Sequence, residues 1–329
     1  MQKEHTTPTI KDVAQQAGVA IGTVSKVING KPVGESYRKR VEAAIQALNY
    51  QVNSYAKGLK TNKTYTIAFI VPNTITPFFG SLTYYISQSL SRHGYRMLLY
   101  ATDYNPDYEQ NYIQLAQQNK VDGIIGLTYN PNLKIAPGTP FVAIDRPFGE
   151  GIPCVSSDNF GGGQMAAEKL VELGCRRLAF LRIGSSLANE PNKRKAGFEN
   201  GCLSKGVPYE MKILEDSDSM EEFRRFLQDH MENGKLSFDG IFCVTDALAY
   251  QVIRMLSEMG IRVPDDVQVI GFDGVQMFGR LDYVCSTIVQ PARRIADICV
   301  DLVLQENREQ VPSLICLPVT YAPGGTTRD

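Results

Sequence analysis

From Tyr65 onward the sequence alternates between short apolar runs and amphipathic segments, and this alternation restricts the possible fold more than any other feature. The apolar runs have the length of strands, as in TIAFIV at residues 66–71 and VQVIGFD at residues 267–273. Strands that alternate with helices over such a length form parallel sheets with helices packed on both faces. Because the pattern repeats in two halves, it predicts two similar, doubly wound parallel-sheet α/β subdomains.

Apolar periodicity places the predicted elements of this body. The predicted strands are 66–71, 96–101, 122–127, 141–145, 177–183, 240–244 and 267–273, and the predicted helices lie near 79–92, 108–119, 161–173, 194–205 and 246–259. In parallel sheets, ligands bind outside the carboxyl ends of the strands. Residues suited to binding follow the predicted strands or open a helix at this edge: Asn73, Thr76, Phe78, Phe79, Asp103, Thr128, Asp145, Arg146, Arg194, Thr245, Asp246 and Asp273. The sequence therefore predicts a ligand site there.

The N-terminal stretch from Thr9 to Asn29 has the pattern of two short helices joined by a tight turn. Apolar residues recur at helical spacing in both halves, and Thr9 with Asp12 forms a capping-box pattern at the start of the first helix. Gly18 interrupts the pattern where a left-handed residue is least costly. Two short helices joined by a glycine-containing turn are typical of the helix-turn-helix motif, whose second helix enters the major groove of DNA. A third helix is predicted from about Ser36 to Leu48.

Charge is divided unevenly along the chain, and this division favours contact with nucleic acid through one end. Residues 1–63 contain ten Lys and Arg against four Asp and Glu, whereas the rest of the chain contains 24 basic and 31 acidic residues. A basic end on an acidic body suits docking to phosphates at that end alone. No uncharged apolar run approaches the length of a membrane span, and the N-terminal MQKEHTTP lacks the apolar segment of a signal peptide. We therefore expect a cytoplasmic protein without membrane contact.

Three N-terminal segments resemble the headpiece of the lactose-repressor (LacI) family: DVAQQAGVAIGTVSKVING, RKRVEAAIQALNY and NSYAKGL. The resemblance extends over essentially the whole chain. It implies an all-α helix-turn-helix headpiece at residues 1–52, a hinge helix and linker at 53–63, and an effector-binding and dimerisation domain at 64–329. That domain would be periplasmic-binding-protein-like, with one subdomain at about 64–160 plus 291–319, the other at about 161–290 plus 320–329, and a cleft between them.

The resemblance also implies which residues contact operator DNA. Ile21, Gly22 and Lys26 match base-reading positions, although neither Ile nor Gly can form a bidentate hydrogen bond with a base. Readout at those two positions would be apolar or through DNA shape, whereas Lys26 can reach a guanine edge. Leu59 matches the wedge that the family's hinge helix inserts into the minor groove. The implied DNA contacts are Thr9, Ile21, Gly22, Thr23, Ser25, Lys26, Asn29, Asn53, Ala56, Lys57 and Leu59.

Three further motifs resemble the family's effector-binding segments. TPFFG resembles a segment whose aromatic residues touch the effector, NKRKAGF carries the matching Arg194, and GFDG carries Asp273, which in relatives accepts hydrogen bonds from sugar hydroxyls. An arginine opposite carboxylates, with aromatic faces nearby, suits a polyhydroxylated ring. The expected effector contacts are Thr76, Phe78, Phe79, Asp103, Asp145, Phe160, Arg194, Thr245, Asp246 and Asp273. We expect a sugar or sugar derivative, with a sugar phosphate or a purine as the alternatives.

Other classes of protein fit the sequence less well. Gly161-Gly162-Gly163 does not supply a G-x-G-x-x-G dinucleotide motif after the first strand. The three histidines lie away from the strand ends and the seven cysteines contain no C-x-x-C pair, so neither a metal site, a cofactor nor a disulfide framework is indicated. A solute-binding protein would need an export signal and no headpiece, and a carbohydrate-acting enzyme using Asp145 or Asp273 would turn over a candidate sugar.

We therefore expect a ligand-responsive repressor and not an enzyme. Because one headpiece reads only half a site, the protein is expected to bind a pseudo-palindromic, double-stranded operator as a homodimer.

Overall fold

The chain divides into two compact units, Met1–Thr64 and Tyr65–Asp329. The computed structural model describes residues 8–28, 30–50, 63–148, 151–184, 189–276, 282–306 and 311–328. Each unit has its own apolar core.

The first unit is a bundle of three short helices, α1 (Ile10–Ala17), α2 (Ile21–Ile28) and α3 (Glu35–Ala47). One valine from each helix is fully buried at the centre of the bundle: Val13, Val24 and Val41. The predicted helix-turn-helix and the third helix are thus confirmed.

Local signals in the sequence determine where α1 begins and ends. Asp12 accepts hydrogen bonds from the backbone N–H and from the hydroxyl of Thr9, both at 2.7 Å. These two bonds stabilise the start of the helix. Gly18 ends it with φ of 60°, in the left-handed region where glycine is least strained.

The second unit is an α/β structure built on two sheets. In chain order its strands are β1 (Thr66–Val71), β2 (Arg96–Ala101), β3 (Gly123–Gly126), β4 (Phe141–Ile144), β5 (Cys154–Ser157), β6 (Leu178–Ile183), β7 (Tyr209–Leu214), β8 (Met231–Glu232), β9 (Lys235–Leu236), β10 (Gly240–Cys243), β11 (Gln268–Asp273), β12 (Ser286–Val289), β13 (Leu314–Leu317) and β14 (Thr320–Ala322). Its helices are α4 (Pro77–Arg92), α5 (Pro106–Gln118), α6 (Asn159–Glu172), α7 (Lys193–Lys205), α8 (Glu221–Asp229), α9 (Asp246–Glu258) and α10 (Ala292–Leu304). Each predicted strand and helix of the body is present, with ends that differ by up to two residues from those predicted.

Both large sheets have the same strand order relative to the chain. The first runs β13-β5-β4-β3-β1-β2 and the second runs β14-β12-β11-β10-β6-β7, while β8 and β9 form a separate hairpin. In the first sheet the chain moves outward in one direction from β1 to β2 and then returns to the other side at β3. The second sheet reverses in the same way between β6 and β10. These reversals are the switch points at which open α/β sheets bind ligands, so a ligand site is expected at the carboxyl ends of these strands.

The chain passes between the two sheets three times, after β5, after β12 and after β13. The two sheets are parallel as predicted except at β14, which pairs with β12 in the antiparallel direction after the last passage. Only Pro318 and Val319 separate β13 from β14. β13 runs parallel to β5, and the hydrogen bond from Ser157 to Gln290 shows that the carboxyl ends of β5 and β12 meet. The chain that leaves the end of β13 therefore enters the second sheet at the carboxyl end of β12, and β14 runs in reverse.

Apolar side chains cover both faces of each sheet. In the first sheet, one cluster lies beneath α4 and α10 and another beneath α5. In the second, the rings of Phe180, Phe198 and Phe242 pack with centroids 5.5–5.8 Å apart. Strands buried on both faces explain why the sequence reads as continuous apolar runs rather than as an alternation.

Helices α6 and α7 touch through their backbones. A Cβ atom at Gly197 would lie 1.9 Å from the carbonyl oxygen of Phe160, and one at Gly163 would lie 2.1 Å from that of Arg194. Only glycine permits this approach. As a result the first turns of the two helices lie side by side, which brings Arg194 next to Asn159.

No helix in the described ranges is both long enough and apolar enough to cross a membrane.

Candidate functional site

Arg194, in the first turn of α7, is a buried cation held by several contacts at once. Its side chain is 4% exposed, its Nε donates to Oδ1 of Asn159 at 2.7 Å, and its Nη1 donates to the carbonyl oxygen of Val244 at 2.7 Å. The guanidinium carbon lies 3.6 Å from the centre of the Phe272 ring. Burial lowers the pKa of Arg194, and the carboxyl of Asp273 opposes this shift. Arginine ionises at such a high pH that it remains a cation.

Asp273 ends β11 beside this cation. Its Oδ1 lies 3.8 Å from Nη1 of Arg194 and accepts a hydrogen bond from Nε2 of Gln290 at 2.8 Å. Gln290 in turn accepts from the Ser157 hydroxyl at 2.8 Å, so a chain of hydrogen bonds joins the end of β5 in the first sheet to β11 in the second. Burial raises the pKa of Asp273 to about 8, while the positive charge of Arg194 pulls it downward.

Asp145, directly after β4, approaches the same cation from the first sheet. Its Oδ1 accepts from the Ser156 hydroxyl at 2.6 Å, and Ser156 also accepts from Nδ2 of Asn159 at 3.0 Å. Asn159 thus connects Asp145 to Arg194. Burial raises the pKa of Asp145, and the Ser156 hydrogen bond and Arg194 lower it. We refer to Arg194, Asp145 and Asp273 as the arginine cluster.

The backbone at both carboxylates is unusual. Asp145 has φ of 59° and Asp273 has φ of 133°, both in the region that disfavours residues with a Cβ atom. Such strain is retained where the surrounding structure over-determines it, often at ligand sites. The carbonyl of Asp145 accepts a hydrogen bond at 2.9 Å from the backbone N–H of Glu190, which lies between β6 and α7. Main chain from the two sheets is therefore in direct contact at the cluster.

Asp246 is buried close to the cluster, but its oxygens have internal partners. Oδ1 accepts from the Thr287 hydroxyl at 2.6 Å, and Oδ2 accepts from the backbone N–H of Val275 at 2.7 Å. Its carboxyl therefore ties β12 to the segment after β11. Burial raises its pKa and these hydrogen bonds lower it.

The other predicted effector residues occupy different environments. Phe78 and Phe79 are each at most 8% exposed and belong to the core beneath α4. Thr245 caps α9 by accepting from the N–H of Leu248 at 3.2 Å. Partly buried Thr76, at the N-cap of α4, and exposed Asp103 and Phe160 lie at strand or helix ends.

Tyr129 lies after β3, beside the strand that leads to Asp145, although the sequence reasoning did not select it. Its ring lies 5.5 Å from that of Tyr104, and the charges of Asp145, Arg194 and Asp273 all act on its hydroxyl. Burial and then the charge of Asp145 raise its pKa, so that the phenol stays neutral. Gln290 and Asn159 were missed too. Tyr129 directly follows Thr128 at a predicted strand end, which could have revealed it, whereas Gln290 follows a strand that the pattern did not predict.

These groups can surround a small polar molecule with both donors and acceptors. A guanidinium, two carboxyls, a phenol and amides converge from the two sheets. Hydroxyl groups, which both donate and accept, match such a mixture. A phosphate matches it less well, because Asp145 and Asp273 already face the cation that it would need.

In the first unit, α2 presents an exposed face. Ile21 is 46% exposed, Gly22 and Lys26 are exposed, and Thr23 and Ser25 are partly buried. The side chains of α2 that face the bundle core are apolar, so the exposed side of the helix is the one available to a DNA groove. Thr9 is exposed at the start of α1. The remaining predicted DNA contacts, Asn29, Asn53, Ala56, Lys57 and Leu59, lie outside the described residues.

Comparison with known proteins identifies both units. Residues 9–53 match the family model of bacterial regulatory proteins of the lacI family, and residues 64–315 match that of periplasmic binding proteins and the sugar-binding domain of the LacI family. The chain belongs to the LacI family. It is thus a DNA-binding transcriptional regulator with a periplasmic-binding-protein-like body, as the resemblance implied.

Individual relatives cover nearly the whole chain. The sucrose operon repressor of Streptococcus mutans is 32% identical over 322 residues, covering 96% of this chain and 98% of that protein. The ribose operon repressor of Bacillus subtilis is 32% identical over 325 residues, covering 97% and 98%. These relatives are repressors, which supports a regulator over an enzyme.

Two solved structures resemble this LacI-family protein. The lac repressor dimer bound to operator and an anti-inducer has a TM-score of 0.83 at 22% identity, covering 98% of this chain and all of that one, and so supports the fold. The complex of the regulator CelR with cellobiose has a TM-score of 0.67 at 27% identity, covering 97% and 99%.

Proposed function

We propose that this LacI-family protein is a repressor whose affinity for operator DNA is controlled by a neutral sugar bound between the two sheets of the body. The arginine cluster is the observation that carries the proposal. Its cation and carboxyls are buried, fixed by hydrogen bonds and contributed by both sheets. A ligand bound there would contact both halves of the body and could bias their arrangement, which is the requirement for allosteric control.

The cluster favours a neutral polyol over the alternative effectors. A phosphate accepts hydrogen bonds and needs several donors, but Asp145 and Asp273 already compete for the one guanidinium. Sugar hydroxyls, by contrast, can donate to these carboxyls and accept from Arg194. The relatives point the same way, since they include repressors named for sucrose and ribose operons. A purine is the other alternative effector, and the ligand test below therefore includes one.

We assign roles to the predicted residues as follows. Arg194, Asp145 and Asp273 contact the effector directly. Asp246 and Thr245 hold the backbone next to these residues, and Phe78 and Phe79 form the apolar side of the site. Thr76, Asp103 and Phe160 line the rim. Residues 1–52 bind one operator half-site, residues 53–63 form a hinge, and residues 64–329 bind effector and dimerise. The protein acts in the cytoplasm.

A homodimer would read the two halves of a pseudo-palindromic operator. Large apolar side chains on the surface of the body offer area for such an interface. Ile75 is 90% exposed, and Tyr84 and Tyr250 are more than half exposed. Burying exposed apolar side chains of this size between protomers would stabilise association.

A ligand panel tests the effector class. Thermal unfolding and calorimetry with D-ribose, D-glucose, sucrose, cellobiose, ribose 5-phosphate and hypoxanthine should reveal binding by at least one neutral sugar. A ligand at a hundred times its Kd adds about 2.7 kcal/mol to the unfolding free energy. The same sugar should change affinity for operator DNA obtained by site selection. Binding by hypoxanthine or the phosphate alone would overturn the neutral-sugar proposal.

Lys26→Ala should weaken operator binding about ten-fold while changing binding to random DNA by no more than about two-fold, because a base contact contributes to discrimination. Arg38→Ala, on α3, is the matched control. It should weaken binding to both DNAs alike, because a phosphate contact carries no sequence information. Salt-titrated binding to both DNAs measures the difference. Equal losses for Lys26→Ala would make Lys26 a backbone contact.

A further inference from the structure

Glu109, in α5, is an acidic residue whose carboxylate is buried against main chain. The residue is 1% exposed, its Oε1 accepts from the backbone N–H of Tyr129 at 3.0 Å, and its Oε2 accepts from that of Asn130 at 2.9 Å. A buried charge is costly unless it is hydrogen-bonded. Here each oxygen has a backbone donor, so the carboxylate bridges two consecutive residues of another segment.

That segment is the connection that follows β3, and α5 holds it at several points. Nδ2 of Asn130 donates to the carbonyl of Pro106 at 3.0 Å, and Gln110 exchanges two hydrogen bonds with the main chain of Lys134, at 2.8 and 3.1 Å. The last pairing of the connection with the sheet is the bond from the N–H of Leu127 to Ile70. Beyond it, α5 replaces the sheet as the support.

Tyr129 is the side chain that this support directs towards the site. Tyr129 follows the carboxyl end of β3, and β3 pairs in parallel with β4, which leads directly to Asp145. The backbone N–H of Tyr129 is one of the two that Glu109 holds, and the charges of all three members of the arginine cluster act on its hydroxyl. A phenol both donates and accepts a hydrogen bond, and its ring has few rotatable bonds. Fixing the backbone therefore fixes the place of the hydroxyl.

Charge balance links Glu109 to the same region. Burial raises the pKa of Glu109, and the two backbone donors and the charge of Arg146 lower it. Arg146 directly follows Asp145 and packs over the Phe148 ring at 5.3 Å. Arg146, whose positive charge favours the ionised form of Glu109, is thus adjacent in sequence to Asp145 of the arginine cluster.

We propose that Glu109 is a positioning residue for the effector site: it fixes the main chain at Tyr129, so that the phenol stands beside the arginine cluster and selects the configuration of an effector hydroxyl. The inference rests on the proposed function of the cleft. A site that hydrogen-bonds a ligand hydroxyl discriminates strongly against ligands that lack it, because the site's polar groups are then unpaired.

A double-mutant cycle tests this role with the panel sugar that binds most tightly. Tyr129→Phe should lower its affinity about ten-fold, which is the upper range for one neutral hydrogen bond. Glu109→Gln should cost a similar factor in the wild-type background, because an amide cannot accept at both positions. In the Tyr129→Phe background, Glu109→Gln should lower sugar affinity by no more than about two-fold, because the hydroxyl that Glu109 positions is absent.

Asp107→Asn is the matched control, because it makes the same chemical change at an exposed position of the same helix. It should leave affinity unchanged. Hydrogen exchange at residues 128–134 should be faster in Glu109→Gln and unchanged in Asp107→Asn. An equal loss of affinity for Glu109→Gln in both backgrounds, or unchanged exchange, would overturn the proposal. If no panel member binds the wild type, the proposed function fails, and hydrogen exchange alone then decides whether Glu109 fixes the segment.

Discussion

Replacing Arg194 by alanine is expected to destabilise the body by about 3–5 kcal/mol and to weaken sugar binding by roughly ten- to a hundred-fold. Removing one partner of a buried, hydrogen-bonded charge cluster leaves the remaining polar groups without compensation. Here the Asn159 side chain and the Val244 carbonyl lose a donor, and the carboxyls of the cluster lose their cation. A charge-assisted hydrogen bond to the effector, worth about 1.5–3 kcal/mol, is lost as well. Urea unfolding and calorimetry with the panel sugar measure the two effects.

Lys195→Ala, on the same helix, is the control, because it removes only a partly exposed i,i+4 pair with Glu199. Such pairs contribute about 0.3–0.5 kcal/mol. Unchanged sugar affinity in Arg194→Ala would remove Arg194 from the site.

The loss of stability in Arg194→Ala should also depend on pH. In the wild type, Asp273 ionises as the pH rises through about 8, and Arg194 favours that ionisation. Without the cation, the pKa of Asp273 should rise further. Above pH 8 the folded variant must then either bury an unpaired carboxylate or keep Asp273 protonated, and both lower its stability relative to the unfolded state. The difference in unfolding free energy between wild type and variant should therefore grow from pH 6 to pH 9. An equal difference at both pH values would contradict the assigned interaction.

Gly197→Ala is expected to destabilise the body by about 3 kcal/mol or more, at or beyond the usual range for overpacking, because the obstacle is main chain. The new Cβ atom would lie 1.9 Å from the carbonyl oxygen of Phe160 and 2.9 Å from the backbone nitrogen of Gln164. Helices α6 and α7 must then separate. Since Asn159 and Arg194 stand at their first turns, sugar affinity should fall with stability.

The matched control is Gly22→Ala in the first unit, where an added Cβ meets nothing within 4 Å. That change should stabilise the headpiece by up to about 1 kcal/mol, because alanine loses less backbone freedom than glycine in a helix. Calorimetric unfolding of both variants is the measurement. A Gly197→Ala body as stable as the wild type would show that the two helices are not held in contact.

Patterns within a few residues of each other predicted the headpiece and most of the body. The capping box of Thr9 and Asp12 and the break at Gly18 act locally, so the ends of α1 could be read directly. The strands that read as continuous apolar runs were equally clear. By contrast, β5 and β12 read CVSS and STIV, and β7 alternates polar and apolar residues at a sheet edge. Short or half-exposed strands give a weak signal, and these were not predicted.

The candidate site divides in the same way. Motif resemblance and strand-end positions selected Arg194, Asp145 and Asp273, which the fold brings together from two sheets. The same reasoning grouped Asp246 with them, although the hydrogen bonds of its carboxyl hold β12 and the segment after β11. It did not select Glu109, because nothing near a helical glutamate in the sequence shows that its carboxylate meets a backbone twenty residues away.

The sequence by itself determined the class of fold, the helix-turn-helix and the contrast between a basic N-terminal end and an acidic body, because periodicity, capping and charge are properties of neighbouring residues. Only the tertiary structure decided that β14 runs antiparallel, that α6 and α7 meet at their glycines, and that Gln290, Asn159 and Tyr129 join the arginine cluster. These features depend on which strand ends become neighbours after the chain has crossed between the sheets. Contacts between residues far apart in the chain follow from packing, and no local pattern encodes them.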